Sequence, residues 1–182
     1  MKRTAFDATE CPIARGLGEV GEWWSILILR DAFHGLARFE EFRESLGIAP
    51  NMLARRLATL VKRGLLERRR YSEHPPRYDY VLTKKGRDFQ PVLLALLAWG
   101  NRYLPRRKGA AVMPTDRATG RPVEPIMVDA LTLRPLLPWT VGLAAGPGAG
   151  PETRRRLEKI ERNRRRRREA RAAIAQTARM QP

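Results

Sequence analysis

The chain has 182 residues, 43% of them hydrophobic and 30% charged, with a formal net charge of +17. That hydrophobic content suffices for one real core and excludes a wholly disordered chain, while the excess of base points to a polyanionic partner. A single cysteine, Cys11, excludes an intrachain disulfide, and no uninterrupted apolar stretch reaches the ~18 residues of a membrane span.

The opening Met-Lys-Arg-Thr-Ala-Phe-Asp has no apolar run of the signal-peptide kind, so a reducing cytoplasm is expected. Cys11-Pro12 opens a first helix, with Pro12 at a position where its missing N–H costs nothing, and Gly18 and Gly21 are expected to interrupt it. Glu22 to His34 reads as a second helix, with Trp23, Ile26, Leu27, Leu29, Arg30 and Phe33 at helical spacings, and Gly35 ends it. Arg38 to Leu46 is a third helix with Phe39, Phe42 and Leu46 inward. After a Gly47 turn a fourth runs from Pro50 to Gly64, with Leu53, Leu57 and Leu60 toward the core. Pro50, Asn51, Ala54, Arg55 and Arg56 then lie on its other faces. Leu65–Tyr71 and Tyr78–Thr83 read as two strands joined by a loop stiffened by Pro75 and Pro76.

Thr83 is suited to cap a last helix of this region, Lys84 to about Leu104. Its middle, Pro91 to Trp99, is apolar nearly all round, more than one core can cover. A dimerisation helix is expected, with Leu93, Leu94, Leu97 and Trp99 at the interface; otherwise the segment after it folds back over it. The fold class is therefore α+β: a winged helix-turn-helix domain with a C-terminal dimerisation helix, a Pro/Gly-rich segment and a basic helical tail.

Charge marks out the same division. Residues 1–108 carry +9, residues 109–151 carry 0, and residues 152–182 carry +8. In the neutral segment, Pro122 to Val128 is a candidate strand, Leu131 to Leu143 a loosely packed appendage with Trp139, and Ala144 to Pro151 a linker. Glu152 to Met180 is helix-prone, with five consecutive arginines from Arg164 to Arg168. No internal repeat is evident.

The order helix, Gly47 turn, polar-faced helix and basic two-stranded ribbon suits a helix in a DNA major groove with a wing on the flanking backbone. Residues 11–105 resemble the HxlR-type winged-helix transcription regulators, relatives of the MarR type. The resemblance rests on Cys11-Pro12, Gly21-Glu-Trp-Trp-Ser-Ile-Leu-Ile-Leu-Arg30, Arg38-Phe39, Gly47-Ile48, Leu53, Arg56-Leu57, Gly64-Leu65, Glu67-Arg68, Pro75-Pro76-Arg77, Tyr80, Leu82-Thr83, Gly86 and Trp99-Gly100. It implies a dimeric regulator whose Pro50 helix and wing contact DNA. Ala49 departs from the pattern, since many members have Ser there, which removes a cap hydroxyl and a phosphate donor. The Arg-rich tail lies outside the pattern altogether.

Arg55 is the first choice for base readout, through guanine O6 and N7, and Asn51 for adenine or a phosphate. Arg56 suits a positioning contact with a phosphate or an intraprotein acid, and Arg77 at the wing tip a phosphate or the minor groove. Lys62, Arg63, Arg68, Arg69 and Arg70 form a charge run of which some members, Arg69 among them, are expected at phosphates. Cys11 at a helix N-terminus is a candidate redox sensor, against the plainer reading of an inert thiol. His34 and His74 are expected to be surface residues. Trp23, Trp24 and Trp99 are expected in core or dimer packing. No metal site, cofactor or enzymatic constellation is expected.

Two functions remain in competition. The first is a sequence-specific regulator, a repressor, binding a pseudo-palindromic site on double-stranded DNA as a homodimer, with Arg154 to Arg171 as a sequence-blind grip. The second is an architectural or RNA-associated protein driven by the basic tail.

Overall fold

The computed structural model describes residues 9–179, with side chains as far as residue 170. The signal-peptide reading of the first residues, Met180 and the side chain of Arg171 fall outside that range. By compactness the chain divides into residues 16–135 and residues 1–15 together with 136–182, boundaries that differ from those of composition.

α1 (Pro12–Val20), of which residues 16–20 belong to the first body, leads to α2 (Trp23–Phe33), α3 (Phe39–Leu46) and α4 (Pro50–Lys62). The strands β1 (Leu66–Ser72) and β2 (Arg77–Leu82) come next, then α5 (Lys84–Arg87) and α6 (Gln90–Tyr103). Gly16 and Gly18 lie within α1, so Gly18 does not break it. Gly21 stands just after the helix and accepts the chain reversal. Ile28, Leu29, Phe42, Leu53, Leu57, Leu60 and Leu66 are fully buried and make one core between α2, α3, α4 and the sheet. On α2 the buried stripe is Ser25, Ile28, Leu29 and Asp31, not the one through Trp23, which is 60% exposed and stacked on Trp24 at 4.1 Å. Four consecutive residues of α2, Ile26 to Leu29, are large and apolar, so periodicity alone left its inner face undetermined.

Glu41 secures the start of α3. Its carboxylate accepts the N–H groups of Ala37 (2.8 Å) and Arg38 (2.9 Å). Residues 37–38 also extend the sheet, since the N–H of Tyr80 donates to the carbonyl of Ala37 at 2.7 Å and Arg38 pairs with Asp79. The ribbon is antiparallel, Leu66 opposite Leu82 and Arg70 opposite Tyr78, and Tyr71 bulges out before Ser72 meets Arg77.

Thr83 does cap the next helix, α5: its hydroxyl accepts the N–H of Gly86 at 3.0 Å and donates to the carbonyl of Gly64 at 2.6 Å. Gly86 is required at this seam, because a Cβ there would strike the carbonyl oxygen of Leu65. The long helix expected from Lys84 onward is two helices. Pro91 cannot occupy a helix interior and instead stands in the first turn of α6, so the chain breaks at Asp88–Phe89.

The neutral segment holds a repeat that the sequence hides. Asp116 accepts the N–H groups of Ala118 and Thr119 and the Thr119 hydroxyl, its own N–H donates to Arg121, and Thr115 bridges Pro122. Asp129 does the same with Leu131, Thr132 and Arg134, and Val128 bridges Pro135. The two hairpins share Asp-x-x-Thr-x-Arg-Pro, diverged elsewhere. Gly120 and Leu133 occupy the same left-handed position, at φ 70° and 55°. Pro122 to Val128 joins these hairpins without forming a strand.

In the second body α7 (Pro151–Arg179) is one long helix. The Glu10 carboxylate covers its start, accepting the N–H of Gly150 (3.1 Å) and the hydroxyl of Thr153. Its bond with Thr153, then that with Gly150, holds Glu10 below the usual carboxylate range. Thr153, Leu157 and Ile160 form its partly covered stripe, and the arginine run lies in solvent. No described helix is long and apolar enough to cross a membrane.

Candidate nucleic-acid interface

The spacing of leucines on α4 decides what faces outward. Because Leu53, Leu57 and Leu60 are buried, Asn51, Ala54, Arg55, Ala58 and Lys62 lie on other faces and are exposed, and Pro50, on the leucine stripe, is exposed at the helix start. Ala58 and Lys62 continue the outward face beyond Arg55. The helix begins without a side-chain cap at Ala49. Asn51 supplies a partial substitute, its Oδ1 accepting the N–H of Met52 at 2.7 Å, which leaves its amide N–H groups directed outward.

Arg55 has no ion-pair or hydrogen-bond partner for its guanidinium among the described residues and is exposed. Arg56 is different. Its side chain is only 12% exposed and its guanidinium is engaged by Glu22 at the N-cap of α2. Of the two positioning contacts considered for Arg56, a phosphate or an intraprotein acid, the structure makes the one with an acid. The pair ties the outer helix to α2.

The wing sorts its own charges. Arg69 bonds Glu67 at 2.6 and 2.9 Å, and Arg70 pairs with Glu73 at 2.9 Å. Arg68 lies over the Tyr78 ring and Arg38 over Tyr71, at 5.0 and 4.7 Å. Arg63 turns inward beside Glu19, whose carboxyl is lowered chiefly by its bond with Lys85. Arg77 at the wing tip is exposed and has no named partner among the described residues. Such surface pairs contribute little to stability and can exchange for phosphates, so Arg69 stays accessible at 67% exposure.

On α6 the expected interface set divides. Leu93, Leu94 and Leu97 are half-buried, and Leu93 packs against the core of its own chain. Trp99 is 54% exposed and belongs to a stripe with Val92, Leu96 and Tyr103. Residues after the helix do return to it, through Asn101 to the carbonyl of Val112 (2.9 Å) and Arg102 to Glu124 (2.5 Å), yet they leave that stripe open. Cys11 is partly exposed at the start of α1. The N–H of Ala14 directed at its sulfur, with Arg156 adding to it, holds the thiol below its ordinary range.

Three helices, a short turn between α3 and α4, and a two-stranded wing define a winged helix-turn-helix protein. Residues 19–108 match the HxlR-like helix-turn-helix family. An uncharacterised helix-turn-helix-type transcriptional regulator of Mycobacterium tuberculosis is 37% identical over 141 residues, covering 75% of this chain and 86% of that one. A candidate transcription factor of Pseudomonas aeruginosa is 53% identical, with a TM-score of 0.59 over 80% of this chain and 99% of its own. A second candidate transcription factor of known structure is 38% identical, with a TM-score of 0.71 over 79% of this chain and all of its own. The chain belongs to the HxlR-like helix-turn-helix family of transcriptional regulators. Matches of this length reach past residue 108 wherever they begin, so part of the Pro/Gly-rich segment is shared with these relatives.

Proposed function

We propose that this protein is a sequence-specific repressor that binds a pseudo-palindromic site on double-stranded DNA as a homodimer in the cytoplasm. The observation that carries the reading is Arg55: an unpaired guanidinium on the outward face of a helix that Glu22 and Arg56 tie to the core. With α4 in the major groove, Arg55 meets guanine O6 and N7, while the Asn51 amide donates to a phosphate or to adenine N7. Pro50 and Ala54 are small enough to let the helix approach closely. Arg77 and Arg69 lie over the flanking backbone, which positions the protein without reading sequence. The arginines of α7 add a sequence-blind, salt-sensitive attraction. Occupancy upstream of a gene then excludes the polymerase.

The test is a salt titration of the full chain and of a chain ending at residue 135, on the DNA upstream of the gene and on a scrambled duplex. A preference that persists with salt in the shorter chain supports sequence reading. Arg55→Ala weakens the preferred site by about 1–3 kcal/mol and leaves scrambled duplex nearly unchanged. Loss of all binding with α7, and no discrimination before it, favours the architectural or RNA-associated alternative.

Cys11 provides a point of control in this reading. With its thiol lowered, Cys11 is expected to react with iodoacetamide at neutral pH faster than free cysteine, and diamide is expected to reduce DNA binding of the native chain. A Cys11→Ser protein that loses binding to diamide as the native one does removes Cys11 from regulation.

A further inference from the structure

The turn at residues 138–142 and the middle of α7 enclose a groove of about 440 Å3, whose Trp139 wall has no part in duplex recognition. We propose that this groove binds a nucleoside phosphate. Glu161, Arg164 and Arg168 line it at i, i+3 and i+7, one face of the helix, with Arg167 beside them and Trp139 opposite.

The arginine run is not uniform. Arg162 pairs with Glu158 at 3.9 Å and Arg165 with Glu169 at 2.9 Å, whereas Arg164, Arg167 and Arg168 have no ion-pair partner among the described residues. Three guanidinia within little more than one turn repel one another, and a phosphate that accepts from two of them at once relieves that repulsion. Inorganic phosphate alone would leave the other wall idle. Trp139 is 73% exposed, with no aromatic partner among the described residues, and offers a flat indole face to a planar base. Its backbone is held: the Thr140 hydroxyl accepts the N–H of Leu137 at 3.0 Å and lies 3.1 Å from its carbonyl, closing the turn. Glu161 supplies an acceptor for a base amino group and repels phosphate from its end, which orients the ligand. A paired base in a duplex cannot stack on the indole. The source is therefore a free nucleotide or an unpaired nucleotide of a single strand, and its volume suits a site of this size.

The experiment is calorimetry of the full chain with ATP, with tripolyphosphate and with a short single-stranded oligodeoxyadenylate. It uses no duplex, so its result is independent of the reading of α4. ATP is expected to bind more tightly than tripolyphosphate. Trp139→Ala should weaken ATP about 5- to 100-fold and leave tripolyphosphate unchanged, and Trp139→Phe should restore most of the loss. Arg164→Gln with Arg168→Gln should weaken both ligands. Binding of the oligonucleotide but not of ATP identifies an unpaired strand as the source, and binding of both shows that a free nucleotide suffices; each supports the site. Tripolyphosphate binding as tightly as ATP, or Trp139→Ala binding ATP like the native chain, overturns it.

Discussion

At the scale of single residues, most acidic side chains among the described residues are already engaged, and the bases left unpaired are informative. Glu41 is an engaged one. The N–H of Arg38, then that of Ala37, holds its carboxyl below the usual range. A carboxylate lowered in the folded state stabilises fully above its unfolded value, near pH 4.3, and that contribution is lost as the pH falls through the folded value. Glu41→Gln is therefore expected to lower stability by about 1 kcal/mol at pH 7. The difference from the native protein should close as thermal melts are taken below about pH 4. Equal offsets at both pH values would mean that charge is not what Glu41 contributes. Arg55 was legible as an outward residue because Leu53, Leu57 and Leu60 are regularly spaced around it, and Arg77 because it follows the two prolines of the wing tip. The fate of Arg56 was not legible, because its acid is 34 positions away and meets it only through packing.

At the scale of elements, α4 starts on Ala49, whose φ of −60° and ψ of 136° already suit a cap that Ala cannot make. Ala49→Ser is expected to raise stability by about 0.5–1 kcal/mol, measured by urea unfolding. It should also free Asn51 from its bond to Met52, tightening binding to duplex DNA through a further phosphate donor. An unchanged midpoint would show that Asn51 caps the helix as well as a serine does. The elements up to β2 were readable from turn residues and from the periods of Leu and Phe, which local geometry enforces. The duplicated hairpins were not. Their likeness lies in how Asp116 and Asp129 close a turn, and only a few residues in each need to agree for that, Pro125 and Pro138 completing the set.

At the scale of the whole molecule, a chain of net charge +17 resists self-association unless an apolar surface outweighs the repulsion. Val92, Leu96, Trp99 and Tyr103 on α6 form such a surface, spaced as one stripe of a helix that packs against its like. If the proposed homodimer forms through this stripe, Leu96→Glu with Trp99→Glu is expected to give a monomer in sedimentation and to weaken binding to a two-half-site duplex far more than to a single half-site. A dimer that survives the change lies on another surface. The amino-acid sequence by itself determined the winged-helix elements, their caps and the outward face of α4, since these depend on residues within a turn or two of one another. Tertiary structure alone decided which stripe of α2 and α6 is covered, that Glu22 claims Arg56, and that Trp139 faces Arg164 and Arg168. Each of those depends on surfaces brought together from distant parts of the chain, where burial and charge pairing choose among faces that local periodicity leaves equal.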